Sequence, residues 1–450
     1  MINGLMHSMT VCPDTDNDYA YIVSGQGMYL YDNTGKKYID GCSGKAAAAS
    51  VGHGVNEIVR ALSEQASKCA IIPSQSFSSE VVESYLHKLL NFCPPGFSRA
   101  WVTTGGTEAI ENAAKLAVQY HYLRGEGGRH KVISRMGSYH GNSFFALDIS
   151  GVEYRKEIYK KAMFRHPHIP AAYTYRMPVD ISIEEYSFRC ANALEEKILE
   201  EGVDSVAAFV FEPVVAAALG AVSPPDGNYL TYLREICNKY GVLMIADEVF
   251  TGFGRTGKNF AVQHWNVQPD ILAMGKGISG GYFPTGAIAV AEKVCEPFLS
   301  KNKYFMSAST FACNPLAAAV GSAVIDYMDS NRLVTNASDK GTILLQRLLE
   351  MYKHDIVGDI RGKGLMIAIE FVQNRITKEP FSTDIRIAKK INEVAREKGA
   401  IFYPGNGTVD GFAGDHLMIM PPLIIGDAEI DAIVAVLDES ITMVTKQLEV

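Results

Sequence analysis

The sequence predicts an α/β fold. A large domain with a mostly parallel sheet covered by helices is followed by a smaller α+β C-terminal domain and preceded by an N-terminal strand segment. Three observations predict it. From about Arg99 onward, strand-like and helix-like stretches alternate, the pattern of strands joined by covering helices. Val206–Phe211, Val242–Ala246 and Ile271–Met274 are short apolar runs with a polar residue at the carboxyl end, as expected of buried strands. After about Asn331 the texture changes, with helical runs at Lys340–Met351 and Asp384–Lys398 around one strand at Leu365–Phe371. The expected division is an N-terminal segment at 1–59 packing with the small domain, a large domain at 60–325 and a C-terminal small domain at 326–450.

Along the chain, Gly27–Asp40 reads as a hairpin, two aromatic and aliphatic runs around a polar turn ending in Gly35. Glu57–Ala70 has helical periodicity. Val102–Thr104 ends a short strand, Gly105-Gly106 turns, and a helix runs from about Thr107 to Gln119 with Ile110, Ala113, Ala114 and Ala117 on one side. Glu111 and Lys115 are spaced as an i,i+4 ion pair on another side. Pro224-Pro225-Asp226-Gly227 and Gly280-Gly281 mark loops, and His166-Pro167-His168 reads as another.

Composition narrows the function. The chain has 450 residues, 47% hydrophobic and 20% charged, with a net charge of −8, an ordinary globular balance with no broad basic field for nucleic acid. The eight cysteines include no C-x-x-C pair, so neither a zinc site nor a redox pair is suggested, and no two histidines have metal-ligand spacing. No secretory signal is evident, and the longest apolar region, Val206–Val222, is broken by Glu212 and Pro213. The expectation is a cytoplasmic enzyme with buried free thiols, without metal, nucleic acid or membrane.

Three polar residues stand at or just past predicted strand ends: Glu212, Asp247 and Lys276. Their spacing allows one strand–helix–strand crossover between each, and in open α/β sheets ligands bind outside the carboxyl ends of the strands. Together they describe one crevice with two carboxylates and an amine. The Gly105-Gly106-Thr107 helix start adds a phosphate cradle of free N–H groups. Two other motifs are decoys. Gly252–Gly257 fits G-x-G-x-x-G, but no amphipathic helix follows it. Gly275-Lys276-Gly277 lacks the Ser or Thr of a P-loop. Pyridoxal phosphate is the cofactor that needs a phosphate cradle, a lysine for its aldehyde and an aspartate for its ring nitrogen. Tyr139, before His140-Gly141, can stack on its ring.

At this point the chain resembles the class III (omega-type) pyridoxal-phosphate aminotransferases of the fold-type I group, from the Gly27–Asp40 hairpin to Pro421-Pro422-Leu423. The matching blocks, in order, are Gly105–Ala109, Ser138–Gly141, Phe211–Pro213, Asp247–Gly257, Pro269-Asp270, Gly275–Gly277 and Ser309–Pro315. The resemblance implies that Lys276 is the Schiff-base lysine and proton shuttle and that Asp247 pairs with the pyridine nitrogen. Gly106 and Thr107 would hold the phosphate. Tyr139, in the block with His140, would stack on one ring face and Val249 would pack on the other. Glu212 matches an acidic residue near the substrate end. Thr310 would reach the phosphate bound by a partner subunit, implying a homodimer with shared sites. The implied reaction moves an amino group from a primary amine or amino acid to a 2-oxo acid by a ping-pong mechanism. The alternative is a racemase, epimerase or aminomutase of the same superfamily.

The chain departs from the family pattern where substrate is held. Phe250 stands where some members have glutamine. Met418 aligns with the arginine of members that take gamma-aminobutyrate-like substrates. Phe412-Ala413 precedes Gly414-Asp415-His416 where amine-type members often place a flexible arginine, and Tyr403 lies upstream. The candidate substrate residues are therefore Lys45, an isolated charge in a small, apolar stretch, with Tyr403 and Arg361. With both arginine positions empty, 2-oxoglutarate is expected to be a poorer acceptor than pyruvate.

Overall fold

The computed structural model describes residues 20–448, so Cys12 and the first part of the N-terminal segment lie outside the described residues. A seven-stranded sheet organises the chain. In chain order its strands are β1 (Phe97–Thr103), β2 (Lys131–Arg135), β3 (His168–Ile169), β4 (Val206–Phe211), β5 (Leu243–Asp247), β6 (Ile271–Met274) and β7 (Gly286–Ala291). Their spatial order is β1-β7-β6-β5-β4-β2-β3. All neighbours are parallel except β7, which runs opposite to both β1 and β6. Two reversals return the carboxyl end of β1 to the edge where β4, β5 and β6 also end.

The period-two alternation of a strand divides the core into two layers. Phe209, Phe211, Met244, Ala246, Leu272 and Met274 join one cluster. Ala208, Val210, Leu243, Ile245, Ile271 and Ala273 join the other. Every residue of β4, β5 and β6 is buried, because helices cover both faces. The Gly106–Leu123 helix lays Ala109, Ile110, Ala113, Ala114 and Ala117 on one face. The Ile183–Glu201 and Tyr229–Tyr240 helices cover the other with Leu194, Ile198, Leu230 and Leu233.

Two smaller sheets flank this domain. Ile22–Gln26, Tyr29–Asp32 and Lys37–Asp40 form an antiparallel ribbon that Ala400–Ile401 extends in parallel. The N-terminal strands are thus hydrogen-bonded to the last part of the chain. Val357–Lys363, Met366–Phe371, Asp415–Ile419 and Tyr403–Asn406 form an antiparallel sheet in that order. Glu370, fully buried on this sheet, anchors it to the large domain. Its carboxylate takes Arg176 Nη2 at 2.6 Å and Arg361 Nη2 at 2.9 Å, and it also meets Tyr173 and Thr408.

Several local expectations change. The strand expected from Val242 runs Leu243–Asp247, which makes Asp247 its last residue. The helix expected over Lys340–Met351 begins at Leu333, and that expected from Asp384 begins at Ile387. In both cases an arginine in the left-handed region, Arg332 or Arg386, sets the start. His168 begins β3 instead of lying in a loop. The Glu111–Lys115 pair does not form: Glu111 is hydrogen-bonded to Ser143, and Lys115 reaches Ser307 at 3.0 Å. Tertiary partners displace an interaction worth only a few tenths of a kcal/mol. Of the described cysteines, Cys69 is exposed, not buried. Among the described residues, no helix is long and apolar enough to cross a membrane and no cluster has the makings of a metal site.

Candidate active site

Strand geometry brings the expected residues together. Asp247 closes β5, Glu212 follows β4 directly, and Lys276 lies two residues beyond β6. Lys276 is held at φ +46 between two glycines. A Cβ on Gly277 would meet Phe253 at 2.8 Å, and one on Gly275 would meet Val249 at 3.0 Å. Left-handed backbone at a lysine is strained by roughly 1–3 kcal/mol, and such strain gathers at functional sites. The lysine Nζ projects over the Phe250 ring, 2.8 Å from its centroid.

Burial dominates the electrostatics. The Lys276 amine is pushed down to about 7 by desolvation; Asp247 and Glu212 oppose the shift, while Arg155 and Arg255 reinforce it. Asp247 is buried, with Oδ2 2.8 Å from His140 Nδ1 and Oδ1 accepting from the Val249 N–H at 3.0 Å. Glu212 accepts from the backbone N–H groups of Tyr139 at 2.8 Å and Ala216 at 3.0 Å. Burial raises its pKa. Glu248, next to Asp247, is fully buried and carried up to about 7 by desolvation. It accepts from the N–H groups of Ala261 at 2.9 Å and Val262 at 2.8 Å. Those N–H groups open a short 3-10 helix at Ala261–His264, and the Gly252–Gly257 backbone before it is a chain of turns with no amphipathic helix. Arg255, inside those turns, donates to Leu365 O at 3.0 Å, Pro421 O at 2.5 Å and Ser43 Oγ at 3.1 Å.

The pKa of Lys276 fixes a pH dependence. Below about pH 7 its amine is an ammonium without nucleophilic character; above that value it is a neutral amine. Uptake of pyridoxal phosphate by cofactor-free protein should therefore accelerate as pH rises through about 7, then level off. Stopped-flow absorbance measures it. A rate still climbing toward the range of an ordinary lysine, 10.5, would contradict this environment.

The phosphate cradle expected at Gly106 and Thr107 is the start of the Gly106–Leu123 helix. No side chain caps it at Gly105. Glu108 turns back instead to Thr104, accepting from its N–H at 2.7 Å and its hydroxyl at 2.6 Å. The first N–H groups of a helix have no internal acceptor, and an anion suits them. A Cβ on Gly106 would lie 2.6 Å from Val249 Cγ1, so only glycine lets the helix start reach Val249. The Ser138–Gly141 loop closes over this point, with the Asn142 N–H at 3.3 Å from Thr107 Oγ1. An amine, a buried carboxylate, open N–H donors, and Tyr139 and Val249 beside them fit pyridoxal phosphate in kind.

The substrate candidates separate. Arg361 is largely engaged in holding the fold. Four of its five N–H groups go to Gly220 O at 2.7 Å, Asp359 at 2.7 Å, Leu219 O and Glu370, which leaves one Nη1 hydrogen and no fork for a carboxylate. Lys45 is exposed on the Ser43–Ala47 loop, where Ser43, Ala46 and Ala47 all have positive φ. Its neighbours Ala46 and Ala47 pack with Phe250, Met418 and Tyr403. Tyr403 stands opposite Met418 in the C-terminal sheet. Thr310 is exposed, and its side chain makes no hydrogen bond among the described residues. The residue missed from sequence is Arg155. Its guanidinium lies over the Tyr139 ring at 4.7 Å and bears on Lys276. In Glu153-Tyr154-Arg155-Lys156 it looks like one surface charge among several.

The model of the family described as Aminotransferase class-III matches residues 11–441. Among curated proteins, the uncharacterized aminotransferase YodT of Bacillus subtilis (strain 168) is 34% identical, covering 99% of this chain and 100% of its own length. The uncharacterized aminotransferase C1771.03c of Schizosaccharomyces pombe is 37% identical, covering 94% of this chain and 92% of its own. Among solved structures, an (S)-enantioselective omega-transaminase from Thermomicrobium roseum is 34% identical. It superposes with a TM-score of 0.89, covering 96% of each chain.

Proposed function

The chain belongs to the class-III aminotransferase family, enzymes that depend on pyridoxal phosphate, and on that premise we propose its reaction and its catalytic residues. It moves an amino group from a primary amine or amino acid to a 2-oxo acid by a ping-pong mechanism, with Lys276 and Asp247 catalytic. The observation that carries this reading is a half-buried lysine with an amine near neutrality, grouped with a buried aspartate and an uncapped helix start at one sheet edge.

When bound, pyridoxal phosphate supplies an aldehyde that takes up the amino group and a ring that accepts the electron pair left at the donor's Cα. Lys276 Nζ is the base that removes the Cα proton and holds it for return. Asp247 supplies the buried negative charge toward the ring nitrogen, and His140 orients that carboxylate by its 2.8 Å contact. Gly106 and Thr107 present N–H groups to the phosphate. Tyr139 and Val249 bound the ring slot, and Glu212 fixes Tyr139 through its backbone N–H. A monocarboxylate acceptor such as pyruvate suits the site better than 2-oxoglutarate, because Met418 is buried among apolar groups that offer a second carboxylate no charge.

The same reading includes the three-part division at 1–59, 60–325 and 326–450, a cytoplasmic location and a homodimer with Thr310 reaching the partner's phosphate. Supporting the dimer, Tyr304, Met306 and Phe311 are exposed on the same loop as Thr310, apolar surface of the kind a second copy covers.

A single-turnover assay tests the reaction. Holoenzyme mixed with an amine donor and no acceptor should release about one equivalent of carbonyl product per subunit, then stop until pyruvate is added. Exchange of the Cα hydrogen with no carbonyl product would favour the racemase or epimerase reaction instead.

A further inference from the structure

Resting on the transaminase reading, we propose that Arg155 is the substrate-carboxylate receptor and sets the enzyme's specificity for acidic substrates. Three observations place it. Arg155 lies with its Cζ 4.7 Å from the Tyr139 ring centroid and 5.4 Å from that of Tyr154. The Tyr139 that it covers is tied by its N–H to Glu212 at 2.8 Å, directly after β4 and at the same sheet edge as Lys276. Tyr154, Tyr403 and Tyr139 act on its charge, and that charge disfavours protonation of the Lys276 amine.

The second observation is what Arg155 lacks. Its Nε donates to the Tyr154 hydroxyl at 2.9 Å, and no acidic side chain among the described residues pairs with it. The nearest acid in sequence, Glu153, is turned to Lys156 at 3.2 Å and Lys160 at 3.5 Å. Beyond a side-chain hydrogen bond to the Tyr139 phenol, the terminal nitrogens of Arg155 have no partner among the described residues. A half-buried guanidinium with open Nη donors is a bidentate receptor waiting for a carboxylate. The tyrosine faces hold its plane and keep it charged.

The third observation is the state of the alternatives. Of the two arginines that act on Lys276, Arg255 spends its Nη groups on Leu365, Pro421 and Ser43. Arg361 keeps a single Nη1 hydrogen, too few for a bidentate grip. Lys45 is solvent-exposed and carries a point charge without the planar fork. The acidic group of a substrate buried beside Lys276 without a partner would be strongly disfavoured, and Arg155 is the open donor at that place.

The test uses holoenzyme, with wild type, Arg155→Met and Arg155→Lys. Each is assayed with pyruvate and with propanal, an acceptor that lacks the carboxylate, against one amine donor. Binding of propanoate, which cannot react, is measured by calorimetry. Arg155→Met should raise the KM for pyruvate roughly 30-fold, the loss of charge-assisted hydrogen bonds, and leave propanal within about threefold. It should also abolish measurable propanoate binding. Arg155→Lys should recover part of both effects. Equal losses for pyruvate and propanal, or unchanged propanoate binding, would each overturn the assignment. Failure of the transaminase reading itself looks different: wild-type holoenzyme would turn over neither acceptor.

Discussion

Lys276→Ala is expected to lower turnover by about 10⁴-fold or more, the largest effect of any single substitution here. The change removes a nucleophile and a proton carrier together. Neither can be replaced locally. The groups that act on the amine are acceptors or permanent cations: Asp247, Glu212, Arg155 and Arg255. The fold should survive, because alanine keeps the same backbone path between Gly275 and Gly277 and a desolvated amine that resists protonation contributes little to stability. Steady-state kinetics with a matched thermal melt check both halves. A variant that melts like wild type and retains a tenth of its turnover would remove Lys276 from the chemistry.

Asp247→Asn is expected to cost roughly 100-fold or more in turnover while cofactor remains bound, because it keeps the shape and deletes a preorganised charge. The side-chain carbonyl of asparagine can still accept from the Val249 N–H, but its amide then faces His140 Nδ1, where the carboxylate now sits at 2.8 Å. The substitution also carries a second sign. Asp247 raises the Lys276 pKa, so its loss should move that amine below about 7. Uptake of pyridoxal phosphate should then become less sensitive to acid. A full-rate variant would mean that no negative charge is needed at the ring nitrogen.

Legibility from sequence differed by residue, for physical reasons. Glu212, Asp247 and Lys276 were readable because a buried parallel strand is a continuous apolar run, and the first polar residue after it marks the edge where ligands bind. Gly106 and Val249 stood in matching motifs, but their contact was not visible: it depends on a helix start meeting the loop after a different strand. The arginines resisted reading most. Whether a guanidinium is free depends on partners far away in sequence. Arg361 is silenced by carbonyls at Leu219 and Gly220, and Arg155 stands open because Glu153 turns to two lysines. Nothing local in either sequence neighbourhood encodes that difference. The Glu111–Lys115 pair failed similarly, since a weak local attraction yields to Ser143 and Ser307.

The central claim is that Lys276, at the carboxyl edge of the sheet, holds the cofactor and does the chemistry. Its most direct test is borohydride reduction of the yellow holoenzyme, followed by proteolysis and mass spectrometry of the modified peptide. The account predicts one pyridoxyl group per subunit, on Lys276. A group fixed at Lys45 or any other lysine, or no fixed group in a protein that still turns over, would contradict it.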